Sequence, residues 1–269
     1  MSIVGLLHPG EMGAAVGQCL LSRGHTVRWA SQGRSPATAA RAGGFDDVGS
    51  VAEVAARADV ILSICPPHAA LDVARDVAGF GGLYVDANAV SPATAREAAA
   101  IIEDGGGTFV DGGIIGGPPV SPGDTRLYLA GSHAAEVAAL FFRTPLDARA
   151  IPGEPGAASA LKMAYAGWTK GTSALILAIR ALARAEGVED ALLAEWALSQ
   201  PTLTARSERA ARSATAKGWR WIAEMEEIAA TMGADGLPGG FHEAAAEIYR
   251  RSGKDPDLDA VLAEIRRLL

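Results

Sequence analysis

The chain opens on Ile3-Val4-Gly5-Leu6-Leu7-His8-Pro9-Gly10-Glu11-Met12-Gly13, a short apolar run, a glycine turn and the start of a helical pattern. From Met12 to Arg23, Val16, Leu20 and Leu21 recur on one helical face. A strand, a tight turn and a helix N-terminus make an anion site. The first N–H groups of a helix lack partners, and its dipole is positive at that end. Small residues in the turn let a pyrophosphate approach closely. The dinucleotide-binding fingerprint G-x-G-x-x-G falls on His8 to Gly13, with His8 in place of the first glycine. Gly10, Glu11, Met12 and Gly13 are therefore candidate cofactor contacts, although Glu11 brings a carboxylate near the phosphates.

Outward from this turn, short apolar runs alternate with helical segments. Strands are expected at Thr26 to Ala30, Asp59 to Ile64, Leu83 to Asp86, Thr108 to Asp111 and, last, Arg126 to Leu129. Helices are expected at Val51 to Arg57, Ala69 to Val77 and Pro92 to Glu103, the last capped by Ser91 with Pro92 at its first position. Strands alternating with helices imply parallel strands and an α/β sheet. Beyond Gly153 the strand signal stops. One helix is expected from Pro155 to Glu186, ended by Gly187, with others at Glu189 to Ser199, Lys217 to Met232, Gly240 to Arg251 and Asp257 to Leu269. The reading is an α/β domain over residues 1–153 and an all-helical domain over 154–269, with the long helix as a spine or a subunit contact.

Composition narrows the function. Of 269 residues, 24 are Lys or Arg and 31 Asp or Glu, so the formal net charge is −7 and no basic excess is available for nucleic acid. Two cysteines and scattered histidines offer no metal-ligand spacing. No apolar run is long enough to span a membrane. The first seven residues carry no basic side chain, so they read as a strand and not as a signal peptide, and a cytoplasmic location is expected.

At the end of the second strand, where a carboxylate would bind a ribose 2′-hydroxyl, stands Ser31. Ser31-Gln32-Gly33-Arg34-Ser35 offers hydroxyls and a guanidinium instead, which suit a 2′-phosphate. NADP(H) is therefore expected over NAD(H), through Ser31, Arg34 and Ser35.

These residues lead to a family. The chain resembles the β-hydroxyacid dehydrogenases, the 3-hydroxyisobutyrate and 6-phosphogluconate dehydrogenase group, in the branch with a 6-phosphogluconate-dehydrogenase-like C-terminal domain of unassigned substrate. Gly10-Glu11-Met12-Gly13 matches the family's G-x-M-G turn, and Ile64-Cys65-Pro66-Pro67 the segment lining the cofactor. Asp86-Ala87-Asn88-Ala89-Val90-Ser91-Pro92 is similar to D-x-S-T-x-x-P, and Asp111-Gly112-Gly113-Ile114-Ile115-Gly116-Gly117 falls on D-A-P-V-S-G-G. Gly156 to Lys162 opens the long helix with the family's lysine at Lys162. The resemblance implies a Rossmann-type domain, a helical domain, a homodimer and an active site at the domain cleft. It implies hydride transfer between the nicotinamide and a carbonyl or alcohol carbon, with Lys162 as general acid/base. Desolvation disfavours a lysine's charged form, which suits proton transfer near neutral pH. By position, Cys65, Pro66, Pro67 and Asn88 would meet the cofactor, and Gly113, Ile114, Ile115 and Gly116 the substrate.

Two departures bear on the substrate. The family's carboxylate-binding serine is Ile115 here, and the asparagine one turn after the lysine is Ala166. A site so altered should reject small, highly polar hydroxy acids. Tyr165, three residues from Lys162, can share its face and act as a second proton donor. Thr169 continues that stripe, and His242 is a further candidate beside the site. Trp219, Trp221 and Glu224 fall near the family's K-D pair, whose lysine is absent. An imine reductase is the alternative, although those enzymes usually lack the lysine. A second alternative is an NADP(H)-binding module without catalysis.

Overall fold

The computed structural model describes residues 1–267; the end of the last expected helix, at Leu269, lies outside the described residues. Two compact units result, Met1–Lys162 and Met163–Leu269.

The first unit alternates strands and helices: β1 (Ile3–Leu6), α1 (Glu11–Ser22), β2 (Thr26–Trp29), α2 (Pro36–Arg41), β3 (Asp46–Asp47), α3 (Val51–Arg57), β4 (Val60–Ser63), α4 (Ala70–Asp76), β5 (Leu83–Asp86), α5 (Pro92–Asp104), β6 (Thr108–Ile115), β7 (Thr125–Ala130), α6 (Ala134–Leu140) and β8 (Leu146–Ala150). Among the described residues the sheet has eight strands in the order β3-β2-β1-β4-β5-β6-β7-β8. The central strands β4 and β5 are buried at every position, as strands covered on both faces must be. Their side chains alternate between two cores. Leu62, Val85 and Val110 join Leu6, Val16 and Leu20 on one face, and Ile61, Tyr84 and Phe109 join Leu7, Val54 and Ile102 on the other. Ser91 caps α5 as expected, accepting from the Thr94 N–H at 3.2 Å.

The structure corrects the sequence reading in several places. Strand β7 runs antiparallel to β6, so the sheet is not wholly parallel. Arg126–Leu129 does not end it, because β8 pairs beyond β7. The sequence Leu146-Asp147-Ala148-Arg149-Ala150 lacks the β-branched and aromatic residues that mark strands, so pairing, not propensity, makes it one. Strand β6 continues four residues past Asp111, where the expected strand ended, into the glycine-rich segment.

The long helix α7 (Ala157–Ala185) is followed by α8 (Glu189–Ser199), α9 (Leu203–Ala234), α10 (Gly240–Arg251) and α11 (Leu258–Ile265). Helix α9 begins well before the expected Lys217. Its first half carries its apolar face on Ala210, Ala211 and Ala214, which are buried but too small to produce a strong hydrophobic period. In the second unit the buried Arg180 guanidinium donates to Glu189 Oε1 at 3.0 Å and to Ser207 Oγ at 2.9 Å, tying α7 to the starts of α8 and α9. The compact unit boundary falls inside α7, nine residues beyond residue 153, because the first turns of α7 are bonded to β6.

Candidate active site at the carboxyl edge of the sheet

The turn after β1 is built for close approach. Gly10 caps α1 without any side chain, its own N–H donating to the His8 carbonyl at 2.8 Å. A Cβ on Gly13 would strike that carbonyl, so only glycine allows the turn to close. A Cβ on Gly10 would meet nothing within 4 Å, so this point of the turn faces open space. Glu11 lies in the first turn of α1 and is exposed, while Met12 packs against the core. His8 is held down to about 4, first by burial and then by the positive charge of Arg34. The Arg34 charge also acts on Cys65. His8 Nδ1 and Arg34 Nε are both buried with no hydrogen-bond partner. Open glycine, helix N-terminus and unsatisfied cationic donor fit a group carrying phosphates.

The remaining expected nucleotide contacts divide. The Ser31 N–H donates to Asp47 Oδ1 at 3.3 Å. The Ser35 hydroxyl caps α2, accepting from the Thr38 N–H at 3.2 Å, so its work is structural. Pro66 is exposed, and Pro67 opens a tight turn that leads into α4. Burial, then the nearby Asp86 carboxyl, pushes the Cys65 thiol up to about 12, so it is no nucleophile. Asn88 is only 2% exposed. Its Oδ1 accepts from the Cys65 N–H at 2.5 Å and its Nδ2 donates to Ser63 Oγ at 3.1 Å. Asn88 thus fixes the Cys65-Pro66-Pro67 turn. Asp86 holds Asn88 in turn, accepting from its N–H at 2.9 Å.

Asp111, level with Asp86 across β5 and β6, fastens the helix that carries Lys162. Its Oδ2 accepts from the Gly156 and Ser159 N–H groups, both at 2.9 Å, and its Oδ1 from Ser159 Oγ at 2.6 Å. One turn on, Lys162 stands on Gly113. A Cβ there would lie 2.7 Å from the Ala158 carbonyl and 3.1 Å from Lys162 Cβ. Gly113 is therefore the space that lets α7 cross β6. Ile114 packs in the core with Val85, Leu127 and Leu129. Ile115 is buried at the end of β6, and Gly116 is exposed in the turn that follows. Asp111 and Ser159 carried no assigned role in the sequence, because a cap supplied from a distant strand leaves no local spacing.

Three candidates lie in the second unit. Tyr165 is 46% exposed on α7. The Thr169 hydroxyl donates to the Tyr165 carbonyl at 3.0 Å, a bond internal to the helix. His242 is 4% exposed and sits in a notch left by Gly167 and Gly171, with Nε2 3.3 Å from the Gly167 carbonyl. That seat makes it a packing histidine and explains how α7 accommodates both glycines. Glu224 pairs with Lys170, whose ammonium lies 5.4 Å from the centre of the Trp221 ring. Among the described residues no helix is long and apolar enough to cross a membrane.

Residues 2–140 match the NAD-binding domain of 6-phosphogluconate dehydrogenase. The chain belongs to that family. Residues 183–252 match a domain of unknown function, DUF1932. A probable 3-hydroxyisobutyrate dehydrogenase of Mycobacterium bovis is 30% identical over 138 residues, 49% of this chain and 46% of the relative. The chain spans about half the length of the curated relatives it matches. A conserved protein of unknown function, MTH1747, described as structurally similar to 3-hydroxyacid dehydrogenases, is 30% identical with a TM-score of 0.72, covering 92% of this chain and 96% of its own. The Mycobacterium tuberculosis 3-hydroxyisobutyrate dehydrogenase with L-serine shares the fold at 22% identity and a TM-score of 0.75, covering 99% and 100% of the two chains. A reductive aminase from Aspergillus terreus shares it more loosely, at 18% identity and a TM-score of 0.59, covering 98% and 99%. The chain thus carries an NAD(P)-binding domain of the hydroxyacid dehydrogenase kind, followed by a helical region.

Proposed function

We propose that the chain is an NADP(H)-dependent oxidoreductase acting on a carbonyl/alcohol pair less polar than a small hydroxy acid, with Lys162 as general acid/base. The observation that carries this reading is the place of Lys162. It stands on Gly113, two residues past Asp111, which is level with the last residue of β5, and this end of the parallel strands also bears the β1–α1 turn, the Cys65-Pro66-Pro67 turn and Asn88. Open α/β sheets bind their ligands at that end.

A bound nicotinamide dinucleotide supplies the hydride at its ring. Gly10, Gly13 and the first N–H groups of α1 would hold its pyrophosphate, and Arg34 would favour a 2′-phosphate. Asn88 holds the Cys65 N–H in place and so shapes the wall of the site. Lys162 gives a proton to the oxygen of a carbonyl undergoing reduction, and takes it from the hydroxyl in the reverse direction. Its positive charge stabilises the oxyanion that develops between those states. Ile115 and Ala166 replace two polar positions of the family with apolar side chains, which supports the less polar substrate.

The homodimer has a physical basis in α7. Tyr165, Trp168, Leu175, Ile179 and Leu182 recur at steps of three, seven, four and three residues and are exposed, Trp168 to 68%. A long stripe of that spacing is self-complementary across a two-fold axis. Sedimentation of the wild type and of Trp168→Glu separates a dimer from a monomer.

The test is NADPH consumption against β-keto acids and aldehydes in one panel and cyclic imines of matched size in another. Carbonyl turnover that falls roughly 100-fold or more in Lys162→Ala is expected. Turnover of imines alone, indifferent to Lys162, would move the chain to imine reduction and make Tyr165 the residue to change next. NADPH binding without turnover of either panel would leave a binding module.

A further inference from the structure

The sequence has Ser31, not a carboxylate, after β2, but the fold brings a carboxylate there from the neighbouring strand. Strand β3 pairs in parallel with β2 and sets Asp47 level with Trp29, two residues before Ser31. Asp47 Oδ1 accepts from the Ser31 N–H at 3.3 Å and from the Gly49 N–H at 2.9 Å. The Gln32 N–H donates to the Gly49 carbonyl at 2.9 Å, so the loops after β2 and β3 are joined around this carboxylate. Hydrogen bonds from Ser31 and Gly49 hold the Asp47 carboxyl below its ordinary range, and it stays charged at neutral pH. Its side chain is exposed, and Asp46 beside it adds a second exposed carboxylate. The cation of this loop, Arg34, acts on His8 and Cys65 instead.

We infer that Asp47 is a cofactor-selectivity residue, whose carboxylate opposes a 2′-phosphate at the end of β2 and holds the preference for NADP(H) below the level Arg34 alone would set. The inference rests on the nucleotide site proposed above. A carboxylate accepts a hydrogen bond from a ribose 2′-hydroxyl but repels a phosphate at the same place. Two opposite charges, Arg34 and Asp47, then fix a selectivity that neither loop sequence states.

Binding, not turnover, tests this. NADPH and NADH are titrated separately into the full-length wild type, Asp47→Asn and Arg34→Ala, followed by calorimetry. The asparagine keeps a side-chain oxygen for the Ser31 and Gly49 N–H groups, so the joined loops persist. Asp47→Asn is expected to raise the ratio Kd(NADH)/Kd(NADPH) roughly three- to tenfold at low salt, the effect of one nearby charge. The gain should shrink at high salt as the charges are screened. Arg34→Ala should move the ratio the other way. A ratio unchanged in Asp47→Asn, with both cofactors still bound, overturns the inference and leaves the nucleotide site standing. Failure of the wild type to bind either cofactor removes the site and the inference together.

Discussion

Two helix N-termini, those of α1 and α7, meet the same electrostatic demand in opposite ways. Both present unpaired N–H groups and the positive end of a dipole. At α7 the chain supplies its own anion: Asp111 reaches from β6 and takes two N–H groups and a hydroxyl. At α1 the cap is Gly10, no side chain fills the end, and the space beside it is open. One terminus is satisfied from within, and that fixes a lysine. The other has no side-chain cap.

The contrast breaks most visibly at Asp111. Asp111→Ala strands three donors in a buried place and should cost roughly 3–5 kcal/mol of stability, read as a lower urea midpoint. Asp111→Asn keeps one acceptor oxygen and should cost less. If the alanine variant is as stable as the wild type, the capping role is wrong.

The neighbouring aspartate sharpens the same point through pH. Asp86 is fully buried, and one of its oxygens has no hydrogen-bond partner, whereas Asp111 uses both. Burial, reinforced by the Asp111 charge, pushes Asp86 from 3.8 up to about 7, although bonds from Asn88 pull it back. Between those values the folded chain keeps a proton that the unfolded chain releases. Its contribution to stability is therefore full below about pH 4, lost as pH rises toward 7, and constant above. Asp86→Asn should remove this slope and gain roughly 1–3 kcal/mol on the wild type between pH 4 and pH 8. Parallel stability profiles for the two proteins would contradict a raised Asp86.

The smallest expected effect is at Ser35. Its hydroxyl caps α2, so Ser35→Ala should lose about 1 kcal/mol of stability and leave NADPH affinity nearly unchanged. A marked loss of NADPH affinity without a stability change would restore Ser35 to the nucleotide site.

How much of this was legible depended on what each signal required. The β1–α1 turn, the strands β4 and β5 and the helix α10 announce themselves because each is a local pattern, glycines at a fixed spacing or apolar residues at a fixed period. The lysine was legible through its place in an ordered set of blocks. The Asp111 cap, the Asn88 brace and the Asp47 carboxylate were not, because each joins residues brought together by strand pairing or by a helix crossing. The length of β6 was hidden for a related reason: past Asp111 its glycines carry no strand propensity, and pairing with β7 makes the strand. His242 looked chemical in isolation, and only the notch made by Gly167 and Gly171 shows its use.

The open end of α1 can be tested by closing it. Gly10 has an ordinary backbone conformation, φ −68°, and room for a side chain, so Gly10→Asp should fold normally. Aspartate is also a good N-cap and should leave thermal stability equal or higher by about 0.5–1 kcal/mol. Its carboxylate would occupy the place kept for phosphate. Calorimetric titration of NADPH into Gly10→Asp should show binding weakened by roughly 100-fold or more in a protein at least as stable as the wild type. Unchanged NADPH affinity in that variant would mean the turn after β1 is not where the nucleotide binds.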